Sequence, residues 1–77
     1  MTAPHYHINL FWSAEDACWI ADVPDLRFCT THGETPDQAL TNVQDAIRGW
    51  LAVARDEGMA VPEARYRPAI YAARFAA

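Results

Sequence analysis

Three histidines, four carboxylates of the N-terminal half and one Cys–His pair are the groups of this chain with chemistry to offer. His5 and His7 lie two apart, so an extended segment puts both on one face, and His32 is a third imidazole. Zinc asks for three or four preorganised ligands, and imidazoles close to a chain end are more simply read as surface groups. Glu15, Asp16, Asp22 and Asp25 are the acids that a magnesium-dependent hydrolase would need to gather. Their spacing argues otherwise: Glu15 and Asp16 fall in a polar Ser13-Ala14-Glu15-Asp16 stretch, and Asp25 follows Pro24, a turn position. Cys29 and His32 have the types of a nucleophile and its base, but they sit three apart around a strand end with no third group to orient them. A small buried thiol is the simpler reading. These residues therefore predict no catalytic centre, no cofactor and no metal, and turn attention to binding.

The composition favours the same view. The chain has 77 residues, about half of them apolar, with three each of Trp, Tyr and Phe. One domain of this length buries only about 60–65% of its unfolded surface, so this much aromatic area should partly reach an interface. Charge is uneven. Residues 1–46 hold seven acids and one Arg, whereas residues 47–77 hold three acids and five Arg. An acidic front half disfavours phosphate backbones and favours a basic partner. The two cysteines are too few for a disulfide framework. No apolar run approaches the length of a membrane span, and no leader-like segment opens the chain, so a cytoplasmic protein with reduced thiols is expected.

The elements that must position these groups follow from periodicity. His5 to Trp12 alternates, with Tyr6, Ile8, Leu10 and Trp12 on one face and His5, His7, Asn9 and Phe11 on the other. Residues 13–16 form a hairpin loop, and Ala17 to Val23 the return strand. Pro24 ends that strand, Asp25 turns the chain, Leu26 to Thr31 reads as a third strand, and Gly33 breaks it. Thr35, Pro36 and Gln38 then spell a helix start with a capping box. Leu40, Val43, Ile47, Trp50, Leu51 and Ala54 supply an apolar stripe, and Arg55, Gly58 and Pro62 a stop, giving a helix from Pro36 to Glu57. Gly49 inside that helix costs about 1 kcal/mol relative to Ala, which a close approach to the sheet or to a second subunit would explain, as would chance. The fold class is α+β: a three-stranded antiparallel sheet packed on one long helix, in the order β-β-β-α. It is a single domain over 1–77 with its core at about 5–64. The tail over 65–77 is open between a fourth strand and a short helix.

The ordered set resembles the HicB family of antitoxins. The residues that carry the resemblance are Ser13-Ala14-Glu15-Asp16, Trp19 through Val23-Pro24-Asp25-Leu26, Cys29, and Gly33-Glu34-Thr35 with Ala39-Leu40. Asn42, Ala46-Ile47, Trp50-Leu51, Gly58 and Val61-Pro62-Glu63 continue it, so that it covers about residues 6–64. The resemblance implies a partial ribonuclease-H-like fold without the nuclease's metal site, and a HicA-type partner, a toxin that cleaves messenger RNA. Two features depart from the family pattern. Arg27-Phe28 stands where Pro-Gly is usual, which puts the turn in question because Gly reaches backbone conformations that Phe resists. The chain also stops before the DNA-binding segment that many members carry, so no direct DNA binding is expected.

The reading is thus a non-enzymatic antitoxin module that occludes a basic toxin, itself a homodimer or tetramer. The alternative is a stand-alone homo-oligomeric structural or regulatory protein with no toxin. Glu15, Asp16, Trp19, Asp22 and Asp25 are the expected partner contacts, because acids steer a basic partner and aromatic side chains anchor interfaces.

Overall fold

The computed structural model describes residues 5–70. Its elements are β1 (Asn9–Ser13), β2 (Cys18–Asp22), β3 (Thr30–Gly33) and α1 (Pro36–Asp56). The strands form one antiparallel sheet in the order β1-β2-β3, so the expected β-β-β-α, α+β architecture is present. No fourth strand forms among the described residues, and 71–77 of the tail lie outside them.

Register assigns the faces. Leu10 and Trp12 sit opposite Ala21 and Trp19, which face Thr31 and Gly33 in turn. This face looks at α1. Phe11, Ile20 and His32 form the matching row on the open face, with Cys18, Asp22 and Thr30 beside them. The core contains Tyr6, Ala21, Val23, Leu26, Cys29, Ala39 and Val43, all buried, with Ile8, Trp19, Ile47, Trp50, Leu51 and Ala64 packed around it. It is made of small side chains: the largest fully buried ones are Leu26, Val23 and Val43. The big aromatic rings stay at or near the surface, Phe11 at 49%, Trp12 at 50% and Phe28 at 90% exposure.

The first strand is shorter than alternation predicts. Asn9 pairs with Asp22, and beyond Asp22 the chain turns away at Val23-Pro24, so residues 5–8 pair with no strand among the described residues. Tyr6 and Ile8 still insert apolar surface into the core from this extended lead-in. The third strand also begins later than its composition suggests, at Thr30 rather than Leu26. Leu26 N–H donates to the Val23 carbonyl at 3.1 Å, and Cys29 N–H to the Leu26 carbonyl at 3.2 Å. These are two successive turns, closed by Val23 N–H donating to the Cys29 carbonyl at 3.0 Å. The chain therefore buries Val23, Leu26 and Cys29 at a spacing of three, not two. Phe28 pays the conformational cost, with φ at +61°. It takes up the left-handed conformation that Gly usually supplies, and its ring lies outside, 5.3 Å from the Arg27 guanidinium.

The helix start follows the sequence closely. Thr35 is extended and its Oγ1 accepts from Gln38 N–H at 3.1 Å, with Pro36 in the first turn and Asp37 adding negative charge at the dipole's positive end. Gln38 Oε1 reaches back to Glu34 N–H at 2.6 Å, one residue before the usual capping-box donor. At the other end Gly58 has φ +69°, Met59 N–H donates to the Ala54 carbonyl at 2.8 Å and Gly58 N–H to the Arg55 carbonyl at 3.2 Å. That pair of bonds is the Schellman motif, and it closes the helix where the sequence placed its stop.

The helix phase differs from the predicted stripe at one position. Ala39 is fully buried and Leu40 is 37% exposed. Gly33 explains the choice. A methyl group added to Gly33 would come within 2.9 Å of Ala39 Cα and of the Gln38 carbonyl carbon, so strand and helix backbones touch here. A contact this close admits Ala on the helix and excludes Leu. Gly33 is the last residue of β3, opposite Trp19, and not the break that the sequence suggested. Gly49, by contrast, has no atom of another element within 4 Å of where its methyl group would be, among the described residues.

Two expectations follow. Gly33→Ala should lower the denaturation midpoint clearly, because the atoms it meets are backbone, while Gly49→Ala should raise stability by about 1 kcal/mol from helix propensity alone. Equal midpoints for the two variants would show that the strand–helix contact is not tight. Phe28→Gly should add about 0.5–1 kcal/mol, the relief of left-handed strain less the extra freedom of an unfolded Gly. A loss of stability in chemical denaturation would mean that the exposed ring contributes contacts that outweigh its strain.

Candidate functional site

The residues with potential chemistry do not converge. His5 and His7 border a hollow with Tyr66, Arg67 and Pro68, whereas His32 belongs to a separate one with Asp16, Cys18 and Ile20 on the open sheet face. Among the described residues no three His, Cys, Asp or Glu side chains gather as metal ligands would. His7 is held by its surroundings: its ring lies 4.7 Å from that of Tyr66, and Nε2 is 2.7 Å from Asn9 Oδ1. Cys29 is buried, and burial, followed by the Asp22 charge, pushes its thiol pKa up. A raised pKa empties the thiolate that a nucleophile requires, and His32 is exposed on the strand beyond it.

The five expected partner contacts divide between two ends of β2. Glu15 and Asp16 are exposed in the 14–17 turn, where Ser13 Oγ donates to Asp16 Oδ2 at 3.1 Å and accepts from Asp16 N–H at 3.3 Å. Trp19 stands beside that turn, half-buried on the helix side, with its ring edge against Trp12 at 5.8 Å between centroids. Asp22 is at the far end of the strand, about 13 Å along from Cys18, and Asp25 is beyond it in the double turn. The hairpin and the Pro24 corner are thus not neighbours.

Asp22 and Asp25 also have work inside the molecule. Asp22 Oδ1 accepts from Thr30 Oγ1 at 2.8 Å and so ties β2 to β3. Asp25 Oδ2 accepts from both Arg65 and Tyr66 N–H, each at 3.0 Å. Tyr6 Oη donates to the Pro62 carbonyl at 2.6 Å, and burial, then the Asp25 charge, raise its pKa. Together Tyr6 and Asp25 fasten the 62–66 segment to the body, with Ala64 packed on the core. Sequence reading saw a turn aspartate; its partners lie 40 and 41 residues away, which no local pattern announces.

The structure adds a surface that the sequence did not mark. Phe28, Cys29, Gly49, Trp50, Val53 and Met59 line an apolar groove of about 450 Å³ between the double turn and the helix. Trp50 Nε1–H donates to the Arg27 carbonyl at 3.1 Å and fixes one wall. Gly49 leaves space at the floor where any other side chain would project. The Gly49-Trp50 pair was the available signal, but only the position of the double turn shows what it faces. Burial, followed by the Asp22 charge, holds the Cys29 thiol on this groove's wall above its ordinary pKa.

Removing the fasteners should be readable residue by residue. Asp25→Ala leaves two N–H groups without their acceptor, and we expect a loss of about 1–2 kcal/mol, with Tyr6→Phe costing about 1 kcal/mol. Hydrogen exchange should accelerate at Arg65 and Tyr66 in Asp25→Ala while β2 stays protected. Uniform acceleration across the sheet would show instead that these bonds hold the whole fold.

Comparison with known proteins matches this architecture to a family. A family model described as a HicB-like antitoxin of bacterial toxin–antitoxin systems matches residues 6–73. The UPF0150 protein Ta0767 of Thermoplasma acidophilum is 33% identical over 48 residues, 62% of this chain and 70% of that protein. No solved structure matches significantly. The match spans the sheet, the double turn, the capped helix and the segment fastened by Asp25, and it places this chain in the HicB-like antitoxin family.

Proposed function

We propose that the chain is a non-enzymatic antitoxin module that binds a basic, HicA-type RNA-cleaving toxin and blocks its active site by occupying the surface that would meet RNA. The observation that carries this reading is membership of the HicB-like antitoxin family across nearly the whole described chain. Two features support it. The front half is strongly acidic, and a ribonuclease must present positive surface to its substrate. Large aromatic rings remain exposed next to those acids, Trp12 and Phe11 above all.

The hairpin end is the proposed contact. Glu15 and Asp16 lie at its tip, and the Trp12–Trp19 pair supplies rings beside them. Asp22 and Asp25 extend the negative field along the molecule while serving Thr30 and the 62–66 segment. Charges at the rim of such a contact should act mainly on association, and a ring that fills a pocket should act on dissociation. Because Trp19 also packs on the core, Trp12 is the cleaner probe of the two.

The test is binding kinetics against any small basic protein encoded beside this gene, at low and moderate salt. Glu15→Gln/Asp16→Asn should slow association and weaken its salt dependence. Trp12→Ala should speed dissociation and cost about 2 kcal/mol or more. The wild-type chain should suppress the partner's RNA cleavage in proportion to complex formed, and should cleave no RNA by itself. Salt-insensitive association with every variant equivalent would move the interface away from the hairpin. A neighbouring product that never binds would leave a stand-alone role as the better reading.

A further inference from the structure

We propose that the hollow between the lead-in to β1 and the segment fastened by Asp25 is a binding site for single-stranded RNA, which it holds by one phosphate and one base. The proposal stands whether or not a toxin exists. Asn9, two residues past His7, pairs with Asp22, so the hollow lies at the end of β2 away from the hairpin tip.

His5, His7, Tyr66, Arg67 and Pro68 line a space of about 410 Å³. Pockets for small ligands run from roughly 300 to 1,000 Å³, so one nucleotide is of the right scale. Charge sets this place apart from the rest of an acidic chain. Residues 5–12 and 64–70 contain no acid, and they bring two imidazoles and two guanidinium groups to one end of the molecule. Arg65 is paired with Glu63 at 3.3 Å. Arg67 is exposed and its Nη1 donates to the Tyr66 carbonyl at 3.2 Å; among the described residues no carboxylate lies within ion-pair distance of it. The Asp25 carboxylate is close enough for its charge to act on Tyr6, but its Oδ2 already accepts from the Arg65 and Tyr66 N–H groups.

The walls are held in place before any ligand arrives. Asp25 fixes the Tyr66 backbone, the Tyr6 hydroxyl holds Pro62, and the Tyr66 and His7 rings meet at 4.7 Å with a 51° tilt. Tyr66 stays 39% exposed, so its ring still offers surface. An aromatic ring beside a guanidinium group is how proteins hold single strands: a base stacks on the ring and the cation meets a phosphate, with little preference for sequence. An acidic peptide would use the cations and leave the rings idle, and a duplex would keep its bases stacked out of reach. The net charge of −4 confines the attraction to this patch and makes it strongly salt-dependent.

Amide NMR spectra of the full chain at low salt test this, with hexauridylate, uridine monophosphate, inorganic phosphate and hexaglutamate as separate titrants. The two nucleotide probes should shift His7, Tyr66 and Arg67 and leave Glu15 and Asp16 in place, and phosphate alone should bind more weakly than the mononucleotide. Arg67→Gln should weaken hexauridylate binding several-fold and lower the slope of log affinity against log salt by about 0.7. Tyr66→Leu keeps the N–H that Asp25 accepts and should weaken binding on the order of fivefold or more. Arg48→Gln, on the helix and paired with Asp45, should leave binding unchanged. If Tyr66→Leu loosens the segment, seen as faster exchange at Arg65, the wild-type shifts and Arg67→Gln decide. No shift at this end with any nucleotide probe would overturn the proposal. So would phosphate binding as tightly as the mononucleotide, which would leave a bare anion site, or hexaglutamate matching hexauridylate, which would assign the patch to an acidic peptide.

Discussion

The fold depends on one close contact: the backbone of β3 at Gly33 against the first turns of α1 at Ala39. Everything on the helix side of the sheet is set by that spacing. Because the two backbones touch at this end, the core between them is filled by Ala21, Val23, Ala39 and Val43 rather than by large rings. The capping of α1 by Thr35 and Gln38 then becomes structural in a second sense, since it fixes where the helix begins relative to Gly33 and hence which residue lands on the contact. A shift of one residue in the helix start would put Leu40 or Gln38 there.

The close packing explains why so much aromatic surface is left outside. A core that thin has no room for three tryptophans. Trp19 and Trp50 settle at its margins, each with a partner: Trp12 for the first, the Arg27 carbonyl for the second. Phe28 stays outside, with the Arg27 guanidinium above its ring. The surface features that suit a binding protein are therefore consequences of how the interior is built, and they are consistent with membership of an antitoxin family.

What could be read from the sequence was what local chemistry determines. The helix, its cap and its glycine stop were legible because each rests on residues within a few positions of one another. The hairpin was legible because a polar tetrapeptide separates two apolar runs. The third strand was misplaced because Leu26 and Phe28 have strand-like types, yet turn hydrogen bonds at a three-residue spacing govern them. The doubt about Arg27-Phe28 was answered in an unexpected way: Phe28 accepts the left-handed conformation instead of changing the turn. Among the expected partner residues, Glu15 and Asp16 stand exposed as loop acids do. The separation of Asp22 and Asp25 from them could not be foreseen, because it depends on the length and direction of β2. The use of Asp25 by Arg65 and Tyr66 is a long-range fact with no local trace.

The fastening of residues 62–66 has a consequence for how the chain assembles. The hairpin, the double turn and the helix contact partners close in sequence, so their loops are short and their closure costs little entropy. Tyr6 and Asp25 must instead wait for chain 56 and 40 residues away. The sheet–helix body and the terminal segment are thus separable units of cooperativity, the second docking on a surface the first has already made. In any state where the body has formed and the terminal segment has not docked, the Asp25 carboxylate and the Tyr6 hydroxyl are therefore open to water, and the segment can come and go without the sheet coming apart.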